Sequence, residues 1–137
     1  MATWVPCAGA TLHMPSGPSS GPGSGKHLFI VLNDPKLFTN YGSALCIALV
    51  SLSSVPVQEV RFDETCILRA GCHPSVRHDT YVYYRGTRME QLRDVLKRLD
   101  DSFYTPGEPL ETRVLIEVKA GLLKSPFTKR EFKQLGI

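Results

Sequence analysis

Two uninterrupted apolar runs constrain this chain more than any other feature. One is His27 to Asn33 (HLFIVLN), closed by Asn33-Asp34-Pro35, and the other is Ala44 to Leu52, which contains Ile47 and Val50. Runs of this length, rich in β-branched residues and bounded by turn signals, fit strands covered on both faces, as in a small closed barrel. A one-sided hairpin strand would instead alternate apolar and polar residues. Around them lie further strand candidates. Ala10 to Met14 is short and apolar with one His, Thr65 to Leu68 is ended by Gly71, and Thr80 to Tyr84 (TYVYY) has the aromatic and β-branched composition of a pleated surface. In a strand at 80–84, Tyr81 and Tyr83 share one face while Val82 and Tyr84 take the other.

The period then changes. Met89, Leu92, Val95, Leu96 and Leu99, with charges between them, predict an amphipathic helix over about 89–101. Tyr104 to Pro109 reads as a loop. Thr112 to Val118 reads as a strand or a helix, and the alternation of Val114, Ile116 and Val118 favours the strand. Ser125-Pro126 is a candidate N-cap followed by proline at the first helical position, with Phe127, Phe132 and Leu135 in a short C-terminal helix. The expected class is mainly β with added helices, as a single domain over 1–137.

Between the first two strands, every residue of Ser16 to Gly25 is Gly, Ser or Pro. Such a segment buries no apolar area and predicts a long flexible loop, and long loops in compact domains often carry function. Its glycines lack the Lys-Ser/Thr pair of a phosphate-binding loop and do not open a helix, so that nucleotide motif is rejected and no cofactor is expected. Sixteen Lys and Arg against 13 acids give a net charge of +3, compatible with an anionic partner but far from a duplex-DNA binder. The longest apolar run is about half of the ~20 residues a bilayer span needs. No leader pattern opens the chain, since Pro6 and Gly9 interrupt it. The expectation is a cytoplasmic protein without a membrane segment, with Cys7, Cys46, Cys66 and Cys72 reduced and Cys46 in the core.

The densest polar segment precedes TYVYY. In 71–79 (GCHPSVRHD), His73, Arg77, His78 and Asp79 can supply a general base, a phosphate clamp and an orienting carboxylate. The plainer reading is a turn whose side chains bond their own backbone. Cys66, Cys72, His73 and His78 are legitimate zinc ligands, but the cysteines are six apart and Cys72 is adjacent to His73, so no metal is expected. Arg85 and Arg88 flank Gly86 beside Tyr83 and Tyr84, and basic groups interleaved with rings suit single-stranded nucleic acid. Half-buried strand tyrosines would have the same sequence.

Ser16 to Lys26, HLFIVLND over 27–34 and IALVSLSS over 47–54 together resemble the MazF/PemK-like toxins, across residues 16–54. The resemblance implies a small SH3-like barrel of the CcdB/PemK kind, a homodimer, metal-independent cleavage of single-stranded RNA and inhibition by a partner antitoxin. The family's catalytic Arg position is occupied here by Lys26 or His27, and its catalytic Thr position by Ser51. Lys keeps the charge without the bidentate fork, and Ser keeps a hydroxyl. Cleavage by the RNA's own 2′-hydroxyl needs a base, an acid and cationic stabilisation of the phosphorane. His27 and His78 are candidates for the first two, and Lys26 and Arg77 for the phosphate. Arg77, Tyr83, Arg85 and Arg88 form the candidate RNA-binding set. The alternative is a non-enzymatic interaction protein of the same fold, from a phage or mobile element.

Overall fold

The computed structural model describes residues 4–15, 27–58 and 60–137. Six strands form one antiparallel sheet: β1 (Thr11–Met14), β2 (His27–Val31), β3 (Cys46–Ser54), β4 (Ile67–Leu68), β5 (Thr80–Gln91) and β6 (Thr105–Pro106). Their order is β4-β5-β3-β2-β1-β6, and the sheet curls into a half-barrel. Helices α1 (Leu92–Asp100), α2 (Thr112–Lys124) and α3 (Arg130–Lys133) complete the chain. The expected loop over 16–25 lies outside the described residues.

The two apolar runs are the central pair, β2 and β3, and each is buried on both faces. Leu28, Ile30, Ala48, Val50 and Leu52 pack with Val114, Val118 and Leu122 of α2. Phe29, Val31, Ile47 and Leu49 point the other way, into a second cluster with Leu12, Met14, Val95 and Tyr104. Cys46 is buried, as expected for a small apolar residue. Loop polar groups close the fold. The Asn33 side chain accepts from the Ala48 N–H at 2.7 Å and donates to the Cys46 carbonyl at 3.3 Å.

Four expectations about secondary structure are corrected. The segment from Thr112 is a helix, α2, not a strand. Its buried positions Val114, Val118, Gly121 and Leu122 follow a helical stripe, while Ile116 is 63% exposed. The apparent alternation is two turns of that stripe crossed by one solvent-facing Ile. The amphipathic helix begins at Leu92 rather than Met89, because 88–91 extend β5 and pair with Cys46 to Leu49. Met89 packs with the first cluster, whereas Val95 and Leu99 belong to the second. Ser125 caps the end of α2, its N–H donating to the Gly121 carbonyl, and does not open the last helix, which starts at Arg130. In the expected loop over 104–109, Thr105 and Pro106 pair with β1 at the sheet edge, where proline's missing N–H costs no ladder bond.

The long strand β5 is irregular where it matters. Ser51 pairs with Tyr83 and Leu49 with Arg88, so Val50 alone faces the four residues Tyr84 to Thr87. The Thr87 hydroxyl donates to the Tyr84 carbonyl at 2.7 Å and closes this bulge. Gly86 is required there, because a Cβ would stand 2.7 Å from the Tyr83 ring. One edge of the ring therefore lies close against the bulged backbone.

Candidate functional site

Four of the sequence-predicted residues, His27 and His78, and Tyr83 and Arg85, fall into two recesses on opposite sides of β5. Thr80 and Tyr81, adjacent in the chain, belong to one each, as strand alternation dictates.

The first is a recess of about 310 Å³ at the open end of the sheet, where β2 begins and β3 ends. His27, Ser54, Ser75 and His78 supply its polar groups, over Leu28, Leu52 and Val76. His78 Nε2 and Ser54 Oγ are hydrogen-bonded at 2.5 Å. His27 Nδ1 lies 3.3 Å from the Leu52 carbonyl. A carbonyl only accepts, so that contact places the proton on Nδ1 and leaves the Nε2 lone pair of the neutral ring free. Ser75 Oγ reaches His13 Nε2 at 3.2 Å, which brings a third imidazole to the rim.

The loop carrying His78 is held by groups that chemistry would otherwise claim. His73 is buried. Its Nδ1 accepts from the Ser75 N–H at 3.0 Å, and its Nε2 donates to the Glu108 carbonyl at 2.6 Å. With both nitrogens engaged by backbone, it is a neutral pin. Asp79 accepts from the Ala70 N–H and pairs with Arg69 at 2.9 Å, and these contacts hold its carboxyl below the usual range. It does not orient either recess histidine. Among the described residues no three His, Cys, Asp or Glu side chains gather as a metal site.

The other expected catalytic residues lie apart. Ser51 is buried, pairing with Phe29 and Tyr83, and does not line the recess. Lys26 lies outside the described residues, immediately before His27. Arg77 lines a separate depression with Glu108 and Glu111, whose carboxylates oppose an anion there.

The second recess, of about 440 Å³, is a groove lined by Arg61, Phe62, Tyr81, Tyr83, Arg85 and Phe127, with Asp63 at its base. Phe62 and Tyr81 pack at 4.9 Å between centroids, tilted by 39°. The Arg85 guanidinium lies 4.7 Å from the Phe127 centroid. Arg88 is not in the groove. It stacks on Phe29 at 4.9 Å, with Nε 3.3 Å from Glu90. Of the expected RNA-binding set, only Tyr83 and Arg85 therefore meet.

Asp63 holds the groove's base to α2. Its carboxylate accepts from the Ser125 hydroxyl at 2.5 Å and from both the N–H and hydroxyl of Thr65. Burial alone would raise its pKa, but these three bonds outweigh burial and hold it below the ordinary aspartate value. A group lowered in the folded state stabilises above its unfolded pKa, and that contribution is lost as pH falls through the folded value. Asp63→Asn should therefore cost about 1–3 kcal/mol at neutral pH. In acid below the folded pKa of Asp63 the variant and the parent should converge. Urea melts across that range check this, and a constant difference at every pH would refute it.

Ser54 and Ser75 in the first recess, His13 bonded to Ser75 beside it, and Arg61, Phe62 and Phe127 in the second, were not singled out by sequence. For Arg61-Phe62 a signal existed, a basic-aromatic pair ahead of a strand. For Phe127, 42 residues beyond Arg85, none did. No helix among the described residues is long and apolar enough to cross a membrane. Comparison with family models, curated proteins and solved structures gave no match.

Proposed function

We propose that this protein is a MazF/PemK-like toxin with an SH3-like barrel, which binds single-stranded RNA and cleaves it without a metal at the histidine recess. The observation that supports this reading is the meeting of His27 and His78 in one recess, with Ser54 bonded to the second imidazole. Neutral His27 takes the proton of the RNA's 2′-hydroxyl through Nε2. The 2′-oxygen then bonds to phosphorus while the bond to the 5′-oxygen breaks. Protonated His78 gives its proton to the leaving 5′-oxygen, so a 2′,3′-cyclic phosphate and a 5′-hydroxyl end result. Ser54 orients His78, and Lys26, next to His27 in sequence, supplies positive charge for the phosphorane. Ser51 has no part in this scheme, a departure from the family pattern.

The same reading carries a homodimer, an antitoxin partner and a cytoplasmic location. A solution mass that stays monomeric at high concentration would remove the dimer. The deciding experiment incubates the purified chain with single-stranded RNA in EDTA. Fragments with cyclic phosphate ends are expected. An intact substrate beside a folded protein would favour the non-enzymatic interaction protein, a reading that the burial of Ser51 away from the recess already favours.

A further inference from the structure

We propose that the groove of Arg61, Phe62, Tyr81, Tyr83, Arg85 and Phe127 is a base-stacking site for single-stranded nucleic acid, physically separate from the histidine recess. The inference takes its ligand class from the RNA reading but requires no cleavage.

Three observations carry it. First, rings are on offer rather than consumed by the core. Tyr83 is 37% and Phe127 40% exposed, although the neighbouring Val82 and Tyr84 are wholly buried. The Tyr83 ring is also held close to the β5 bulge, where a Cβ at Gly86 would stand 2.7 Å from one edge of the ring. A ring fixed before binding loses little freedom when a base stacks on it.

Second, the charge is unbalanced in favour of an anion. Neither Arg61 nor Arg85 has a carboxylate partner among the described residues, whereas Arg69, Arg88 and Arg113 each have one. Among the described residues Asp63 is the one acid lining the groove, and both its oxygens are engaged by Ser125 and Thr65. Two guanidinium groups beside stacked rings match the alternation of phosphate and base along a single strand.

Third, the shape selects unpaired bases. The rings line a recess, and a duplex keeps its base faces hidden in the stack. An acidic peptide would satisfy the arginines but would leave the rings unused.

The test is fluorescence anisotropy with a labelled 2′-O-methyl RNA of about ten nucleotides, the site size of a small stacking groove, which lacks the hydroxyl needed for cleavage. Tyr83→Ala is expected to weaken binding about 5- to 150-fold, the range for one lost base stack. Tyr83→Phe should bind like the parent, since it keeps the ring. Arg61→Gln combined with Arg85→Gln should reduce the slope of log affinity on log salt by about 1.4, two single-strand phosphates' worth. If Tyr83→Ala, folded by circular dichroism, binds like the parent, the groove is not the site. Full competition by poly-glutamate would likewise replace the nucleic acid with an acidic peptide. Loss of binding in Tyr83→Ala by a chain that never cuts RNA would uphold the groove while removing the nuclease.

Discussion

His78→Ala is expected to slow RNA cleavage about 10²–10⁴-fold, the usual worth of a positioned acid or base, with little change in RNA affinity. His27→Ala should do the same, and the pair together should lose little more than either alone, since groups that act as a unit do not add. The geometry gives a sharper consequence. A mechanism needing one neutral and one protonated imidazole has a bell-shaped dependence of rate on pH, and removing either residue should abolish one limb. Ser54→Ala leaves both imidazoles but frees His78 Nε2 from its 2.5 Å partner. Its rate should fall between those of the parent and the His78 variant. A His78→Ala chain that cuts at the parental rate would remove the recess from the chemistry, whatever the groove binds.

The second large effect is on stability. Tyr84 is buried where β5 meets α2, and its hydroxyl donates to the Val118 carbonyl at 2.7 Å. Burial pushes its phenol far above the ordinary tyrosine value, so it stays neutral and keeps donating. The hydroxyl fits because α2 presents Gly121 there, and a Cβ at that position would overlap the Tyr84 hydroxyl. Gly121→Ala gains about 1 kcal/mol of helix propensity. Against this stand about 1–3 kcal/mol of overpacking and about 1–3 kcal/mol for a displaced buried hydrogen bond. The net loss should be about 1–5 kcal/mol, at roughly 3–4 °C of Tm per kcal/mol for a chain this long. In a Tyr84→Phe background the same substitution should cost less, but not nothing, since the ring carbon Cζ would still be 2.8 Å away. An unchanged Tm in Gly121→Ala would mean that α2 sits further from β5.

The core was legible because its signal is local. HLFIVLN and the run from Ala44 announce doubly covered strands through their own composition, and β2 and β3 are buried on both faces. The alternation of TYVYY likewise separated Tyr81 and Tyr83 from Val82 and Tyr84, and it is the second pair that is buried. Failures came where the deciding contact is distant. Nothing within 112–118 reveals that Val118 continues to Gly121 and Leu122 against Tyr84, so the short window read as a strand. Ser125 has the chemistry of an N-cap, but its hydroxyl is directed by Asp63, 62 residues earlier. The sites divide in the same way. His27 and His78 could be nominated by type, but only the pairing of Ser54 with Thr80 brings β3's end and the start of β5 together beside them. Arg85 could be named, and Phe127 beneath it could not.

The brevity of β4 has a consequence for behaviour at high concentration. It pairs with Thr80 and Tyr81 alone, and β4 ends the sheet, so among the described residues no further strand covers β5 on that side. A straight, apolar margin of that length would template a second copy of the chain and propagate into aggregates. The four-residue bulge at Tyr84 to Thr87 bends this margin and sets an arginine on it. Irregularity here is protective, and a chain with the bulge trimmed to regular pairing would bring its own solubility into question.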